Sequence, residues 1–193
     1  MVVHVVANPA RRAAVLDAAL EVLGRDGARA VTHRAVDVEA DLPAGTTANY
    51  FPSRADLLTG MASRIFALLA PAEDRLADLE RLPSDHAGPE YAAYVVERLL
   101  ARPTLARALL ELRLEASRNP SVAEPLTTFL RDGLDADVAF HTDRGLPGGR
   151  DHVIRLHHLV NGILLDALTV PLAPERDPLD EVRLAATALG GGS

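Results

Sequence analysis

Thr32-His33-Arg34-Ala35-Val36-Asp37-Val38-Glu39-Ala40, then Asp41-Leu42-Pro43, then Ala44-Gly45-Thr46-Thr47-Ala48-Asn49-Tyr50-Phe51 is the stretch on which the fold turns. Thr32 is a good helix N-cap, because its hydroxyl oxygen accepts from a free N–H of the first turn. A short helix from Thr32 to Ala40 then places Ala35, Val36 and Ala40 on an inward face. Asp41-Leu42-Pro43 interrupts it, and a second short segment runs from Ala44 to Phe51. Gly45, Thr46, Thr47 and Asn49 disfavour helix, so tertiary packing through Leu42 and Phe51 has to hold that segment. Two short helices joined by a tight turn fit a helix-turn-helix, whose second helix enters the DNA major groove while the first crosses the backbone. Any compact helical hairpin has the same spacing, so the motif alone leaves the matter open.

Outward from this stretch, the chain reads as helices punctuated by proline and glycine. Upstream, a helix begins near Pro9 with Val15, Ala18, Ala19, Val22 and Leu23 on one stripe, and ends over Gly24-Arg25-Asp26-Gly27. Downstream, Ser53-Arg54-Ala55-Asp56 matches a capping box that opens a long helix through Met61, Ile65, Phe66 and Leu69, kinked or broken at Pro71. Pro83 to Gly88 reads as a loop. Further helices are expected at Pro89–Ala101, Pro103–Arg118, Ser121–Arg144, Arg150–Val170 and Pro178–Leu189, with the Gly-Gly-Gly-Ser end frayed. With only 4% aromatic residues and few β-branched runs, the 193-residue chain is all-α. The division is a helix-turn-helix domain over residues 1–52, joined by the long helix to a larger helical domain over residues 53–193.

Composition narrows the function. The chain carries 20 basic residues, all arginine, against 27 acidic ones, a formal charge of −7. Cysteine is absent, which excludes disulfides and thiolate chemistry. Mean hydropathy is +0.08 and no long uncharged apolar run occurs, so no membrane partner is expected. The apolar start, Met1 to Pro9, is too short and uncharged for a signal peptide, and a cytoplasmic location is expected. No glycine-rich phosphate loop, nucleophile elbow or acid–base carboxylate pair occurs, so neither enzymatic activity nor a cofactor is expected.

The quoted stretch, continued through Pro52-Ser53-Arg54-Ala55-Asp56-Leu57-Leu58 and preceded by Ala18-Ala19-Leu20 and Gly27, resembles the DNA-binding region of TetR-family repressors. The resemblance covers about Arg11 to Leu69. It implies a homodimer that represses transcription at a pseudo-palindromic double-stranded DNA operator and releases it when a small apolar effector enters the C-terminal domain. Three positions depart from the family pattern. Asp41 stands where glycine is usual in the turn, Pro43 replaces the serine that caps the recognition helix, and Ala48 replaces a tyrosine that contacts phosphate.

The resemblance implies roles by position. Thr32, Thr46, Tyr50 and Arg54 are expected at phosphates, which position a protein without reading sequence. Arg34, Thr47 and Asn49 are expected at base edges, while Ala44 and Gly45 permit close backbone approach. The competing readings are a solvated charge for Arg34, a helix-surface residue for Asn49 and a packing glycine for Gly45. Residues 1–60 hold six arginines against seven acidic residues, so binding requires a basic face rather than a basic total, supplied by Arg11, Arg12, Arg34, Arg54 and His33.

In the larger domain, the helix from Arg150 to Val170 is apolar around most of its circumference, as for a helix buried on two sides. The resemblance puts the last two helices in a dimer interface, with Ile163, Leu164, Val182 and Leu189 as candidates. Pocket candidates on the intervening helices are Met61, Phe66, Leu109, Arg113 and Phe129, together with Tyr91, Tyr94, His157 and Asn161. The alternatives are a helical metal-binding protein or enzyme built on His157, His158 and Asp166, and a helical interaction module whose hairpin binds protein. The spacing is unfavourable, since His157 and His158 point about 100° apart on a helix.

Overall fold

The structure, a computed structural model, describes residues 8–190 except Pro147; most of the apolar start, residues 1–7, and the last three residues of the Gly-Gly-Gly-Ser end lie outside those residues. Among them are ten α-helices and no strand. They are α1 (Pro9–Asp26), α2 (His33–Glu39), α3 (Thr46–Tyr50), α4 (Arg54–Leu68), α5 (Glu73–Glu80), α6 (Ser84–Leu100), α7 (Pro103–Ala116), α8 (Pro120–Asp143), α9 (Gly149–Leu168) and α10 (Pro178–Gly190). A 3-10 turn, Ala28–Ala30, links α1 to α2. The chain forms two compact units, each assembled from two stretches: residues up to 68 with 104–128, and residues 69–103 with 129 onward.

The first unit is built on α1. Asn8 caps it, its side-chain oxygen accepting from Arg11 N at 3.1 Å, with Pro9 following where a missing N–H costs nothing. Val15, Ala19, Leu20, Val22 and Leu23 are fully buried along its inner stripe, and the helix ends where Gly27 takes φ +83°. The capping box forms as expected: Ser53 Oγ accepts from Asp56 N at 3.1 Å and Asp56 Oδ2 accepts from Ser53 N at 3.0 Å. Arg64 on α4 holds Asp17 on α1 through two hydrogen bonds of 2.8 and 3.0 Å. Helix α7 and the start of α8 join this unit by close approach. Arg107 Nε donates to Gly24 O at 3.1 Å, and Thr59 Oγ1 on α4 donates to Ser121 O at 3.1 Å.

In the second unit, α6, α9 and α10 share a core of Ala93, Val96, Val153, Leu164, Val182 and Ala186, all buried. Arg183 on α10 reaches Glu90 on α6 at 2.9 Å. Arg144, just after α8, donates to the carbonyls of Glu80 and Leu82, the latter at 2.6 Å, and so finishes the end of α5. The break expected at Pro71 occurs, with α4 ending at Leu68 and α5 starting at Glu73. The loop expected from Pro83 to Gly88 does not: α6 starts at Ser84 and continues through Pro89. Proline there forfeits one backbone hydrogen bond, but Ala87 is 1% exposed and starts the apolar stripe that Ala92, Ala93 and Val96 continue. Packing outweighs the local signal.

The turn after α2 follows the sequence reading. Asp41 takes φ +52°, with its N–H bonded to Val38 O at 3.1 Å and Leu42 N bonded to Asp37 O at 2.9 Å. This double bonding around a left-handed residue is the Schellman ending, normally a glycine position. Replacing Asp41 by glycine is expected to stabilise the chain by about 1 kcal/mol by relieving left-handed strain. A urea denaturation midpoint equal to or below wild type would show that the aspartate is not strained.

Candidate nucleic-acid interface

Helix α3 is only five residues long, so its ends decide whether it forms. Gly45 at its N-cap has φ +88°, a conformation glycine alone adopts without cost. That explains Gly45 independently of packing. Pro43 offers no side-chain oxygen for a cap, and the structure shows what replaces it. Asp37, buried on α2, turns its carboxylate into the N-terminus of α3. Its Oδ2 accepts from Gly45 N at 2.7 Å, and its Oδ1 accepts from Thr47 N at 2.7 Å and Thr47 Oγ1 at 2.6 Å. One side chain thus caps the next helix across the turn and locks the angle between the two. Burial alone would raise the Asp37 carboxyl, yet the hydrogen bonds from Thr47 and Gly45, with His33 nearby, hold it below the usual carboxylate range.

Sequence reasoning missed Asp37. The available signal was an acidic residue on the inward face of a helix, beside Val36, where charge is rare unless hydrogen-bonded.

The expected contact residues distribute as follows. Thr32 caps α2, its Oγ1 accepting from Ala35 N at 3.1 Å, and stays exposed. Arg34, Ala44, Gly45 and Asn49 are exposed, and Tyr50 is half-buried. Thr46 Oγ1 donates to Pro43 O at 2.6 Å. Thr47, expected at a base edge, is 0% exposed and commits its hydroxyl to Asp37, so it belongs to the frame of the motif. Arg54, expected at a phosphate, also braces the motif. Its guanidinium donates to Val31 O and, at 2.6 Å, to Ala28 O, tying α4 to the turn ahead of α2. His33 is half-buried, and its Nε2 is buried without a hydrogen-bond partner among the described residues. Arg12 lies 4.8 Å over the Phe51 ring, and Phe51, 2% exposed, anchors the end of α3 in the core as expected.

Among the pocket candidates in the first unit, Met61 and Phe66 are buried, Leu109 is half-buried and Arg113 is exposed. In the second unit, Tyr91 Oη donates to Asp137 Oδ1 at 2.7 Å, and His157 Nε2 lies 2.8 Å from Asp137 Oδ2. Asn161 Nδ2 donates to His157 O at 2.6 Å. Tyr94 is buried with its oxygen accepting from Ala72 N at 2.8 Å, and Phe129 is exposed. Burial and the Asp137 charge push the Tyr91 phenol far above its ordinary range, so it remains a donor. His157, His158 and Asp166 have separate surroundings: His158 is exposed and Asp166 accepts from Leu172 N at 3.0 Å. Among the described residues no group of three histidine or acidic side chains is arranged to hold a metal ion.

Of the interface candidates, Leu164 and Val182 lie inside the second unit at 6% and 0% exposure, so they face their own core; Ile163 and Leu189 are half-buried. The apolar side chains that α9 and α10 present to solvent are instead Leu165 and Leu184. Among the described residues no single helix is long and apolar enough to cross a membrane.

A short helical hairpin whose second helix is capped by Asp37, with Arg34 and Asn49 exposed, has the architecture of a helix-turn-helix, the class of motif found in DNA-binding transcription regulators. The chain belongs to the TetR family: residues 83–192 match the model of the tetracyclin repressor-like C-terminal domain. Over 67 residues it is 40% identical to the HTH-type transcriptional repressor KstR of Mycolicibacterium smegmatis, a match covering 35% of this chain and 33% of that protein. The curated relatives are thus matched over about a third of their length. Among solved structures, the multidrug binding protein EbrR complexed with ethidium is 26% identical with a TM-score of 0.71, covering 95% of this chain and 99% of that one. A TetR-family member from Streptomyces coelicolor is likewise 26% identical, with a TM-score of 0.66 over 93% of this chain and 97% of its own.

Proposed function

We propose that this regulator is a repressor that binds a pseudo-palindromic operator as a homodimer and is released by a small, mainly apolar effector. The observation that carries the reading is the Asp37 cap. A buried carboxylate is devoted to fixing a five-residue helix, which is worthwhile where that helix must present side chains in one geometry. Arg34 and Asn49 are the base-reading candidates, with Thr32, Thr46 and Tyr50 at phosphates and Arg54 doubling as a brace. A single hairpin reads one half-site, so a two-fold pair reads a pseudo-palindrome. The exposed Leu165 and Leu184 on the last two helices suit the second copy. The similarity to EbrR, solved with ethidium, supports a small-molecule effector. Such an effector acts only through its differential affinity for the DNA-competent state, about 1–3 kcal/mol of coupling.

Selection from a random duplex library tests this directly. The expected product is a two-fold-symmetric site, bound by a species that sediments as a dimer. Asn49→Ala is expected to relax preference at one symmetric pair of positions, costing about 1–3 kcal/mol of discrimination. Failure to enrich any sequence, or an Asn49→Ala profile identical to wild type, removes the reading or the role.

A further inference from the structure

Arg98, on α6 in the second unit, has its Nε and Nη1 atoms buried with no hydrogen-bond partner among the described residues. Its guanidinium lies 5.5 Å from the centre of the Tyr94 ring. A ring can cover the face of a guanidinium, but the N–H groups point out in the plane and still require acceptors. Carboxylates of the same unit have other partners. Glu97 pairs with Arg75 at 3.4 Å and Glu90 with Arg183 at 2.9 Å. Both oxygens of Asp137 are taken, by Tyr91 at 2.7 Å and His157 at 2.8 Å. A buried charged donor without an acceptor is destabilising, and where one persists in a native chain something else completes it.

The neighbours indicate what completes it. Tyr91, Tyr94 and Arg98 stand three and four residues apart along one face of α6, and Tyr91 stacks on Phe140 with ring centres 5.1 Å apart. The Arg98 charge is felt at the Tyr91 phenol, where it opposes the upward push of burial and Asp137. A cation with free N–H groups beside aromatic surface matches a planar carboxylate attached to an aromatic body.

We propose that Arg98 anchors a monoanionic aromatic carboxylate, and that this is the chemical class of the effector. The second half of that statement rests on the effector-responsive reading above; the first does not. Phenylacetate is the probe, titrated calorimetrically into the full chain beside its neutral isostere phenylacetamide and the cation ethidium, then tested for release of the selected operator. Phenylacetate is expected to bind at least about tenfold more tightly than phenylacetamide, as a charge-assisted hydrogen bond requires. Arg98→Met is expected to lose that preference while melting no lower than wild type, since it removes two buried N–H groups that lack acceptors. A purely structural arginine would lower the melting temperature instead. Arg98→Lys, which keeps the charge but not the planar donor geometry, is expected to weaken phenylacetate with little change in melting.

Equal binding of acid and amide, binding indifferent to both substitutions, or binding of ethidium alone overturns the site. Should ethidium release the operator while phenylacetate is inert, the effector-responsive reading stands and the carboxylate assignment falls. If phenylacetate binds through Arg98 without releasing the operator, the site stands and its effector role falls.

Discussion

Asp37→Ala is expected to lower stability by about 3 kcal/mol and to abolish sequence-specific DNA retention. The substitution strands three donors at once, Gly45 N, Thr47 N and Thr47 Oγ1, of which the last two belong to a fully buried residue. Each hydrogen bond to a charged group contributes about 1.5–3 kcal/mol, and stranded donors add their own desolvation cost. Rearrangement of a five-residue helix recovers part of this, which sets the figure near the lower end. Asp37→Asn is expected to fall between, because an amide oxygen accepts from one side only and its NH2 opposes a donor on the other. The same carboxylate gives a pH dependence of definite sign. Its folded-state pKa is depressed, so its contribution is complete above the ordinary carboxylate range and is lost as pH falls through the lower folded value. Urea denaturation at neutral and acid pH, with operator binding at neutral pH, measures both effects. An Asp37→Ala chain that denatures and binds DNA like wild type would dismiss the capping role.

Gly24→Ala is expected to destabilise by about 3 kcal/mol, against the sign that helix propensity predicts. In an unhindered helix, alanine is better than glycine by about 1 kcal/mol. Here a Cβ on Gly24 would lie 1.9 Å from Thr104 O and 2.7 Å from Thr104 C, both backbone atoms that no rotamer change removes. The start of α7 must shift, and with it the Arg107 hydrogen bond to Gly24 O; overpacking of this kind costs about 1–3 kcal/mol or more. The denaturation midpoint decides between the two signs. A more stable Gly24→Ala chain would mean that α7 does not approach α1 this closely.

The extent of the sequence's authority can be judged from particular residues. Local chemistry sufficed wherever one residue's own conformational freedom decides the outcome. Gly27 and Pro9 bound α1, Thr32 caps α2, and Ser53 with Asp56 opens α4, each within four residues of its partner. Asp41 falls in the left-handed turn position because no glycine is present to take it. Helical periodicity likewise made the all-α class legible, and the run from Thr32 to Leu58 made the family legible.

Other outcomes depended on partners distant in sequence. Whether Thr47 reads a base or braces the turn depends on a carboxylate ten residues away, and no local pattern announces that bond. Arg54 looks like a free phosphate contact until the carbonyls of Ala28 and Val31 arrive beside it. Leu164 and Leu165 are indistinguishable by composition, yet packing puts one at 6% and the other at 53% exposure. Periodicity says that a helix has an apolar face; it does not say which neighbour will cover it. The sequence alone therefore determined the all-α class, the caps of α1, α2 and α4 and the family, because those follow from chemistry within a turn or two of each residue. Only the tertiary structure decided which side chains were consumed in holding the motif together and which remained to meet a ligand, because a hydrogen-bonding group is available only when no folded neighbour has already claimed it.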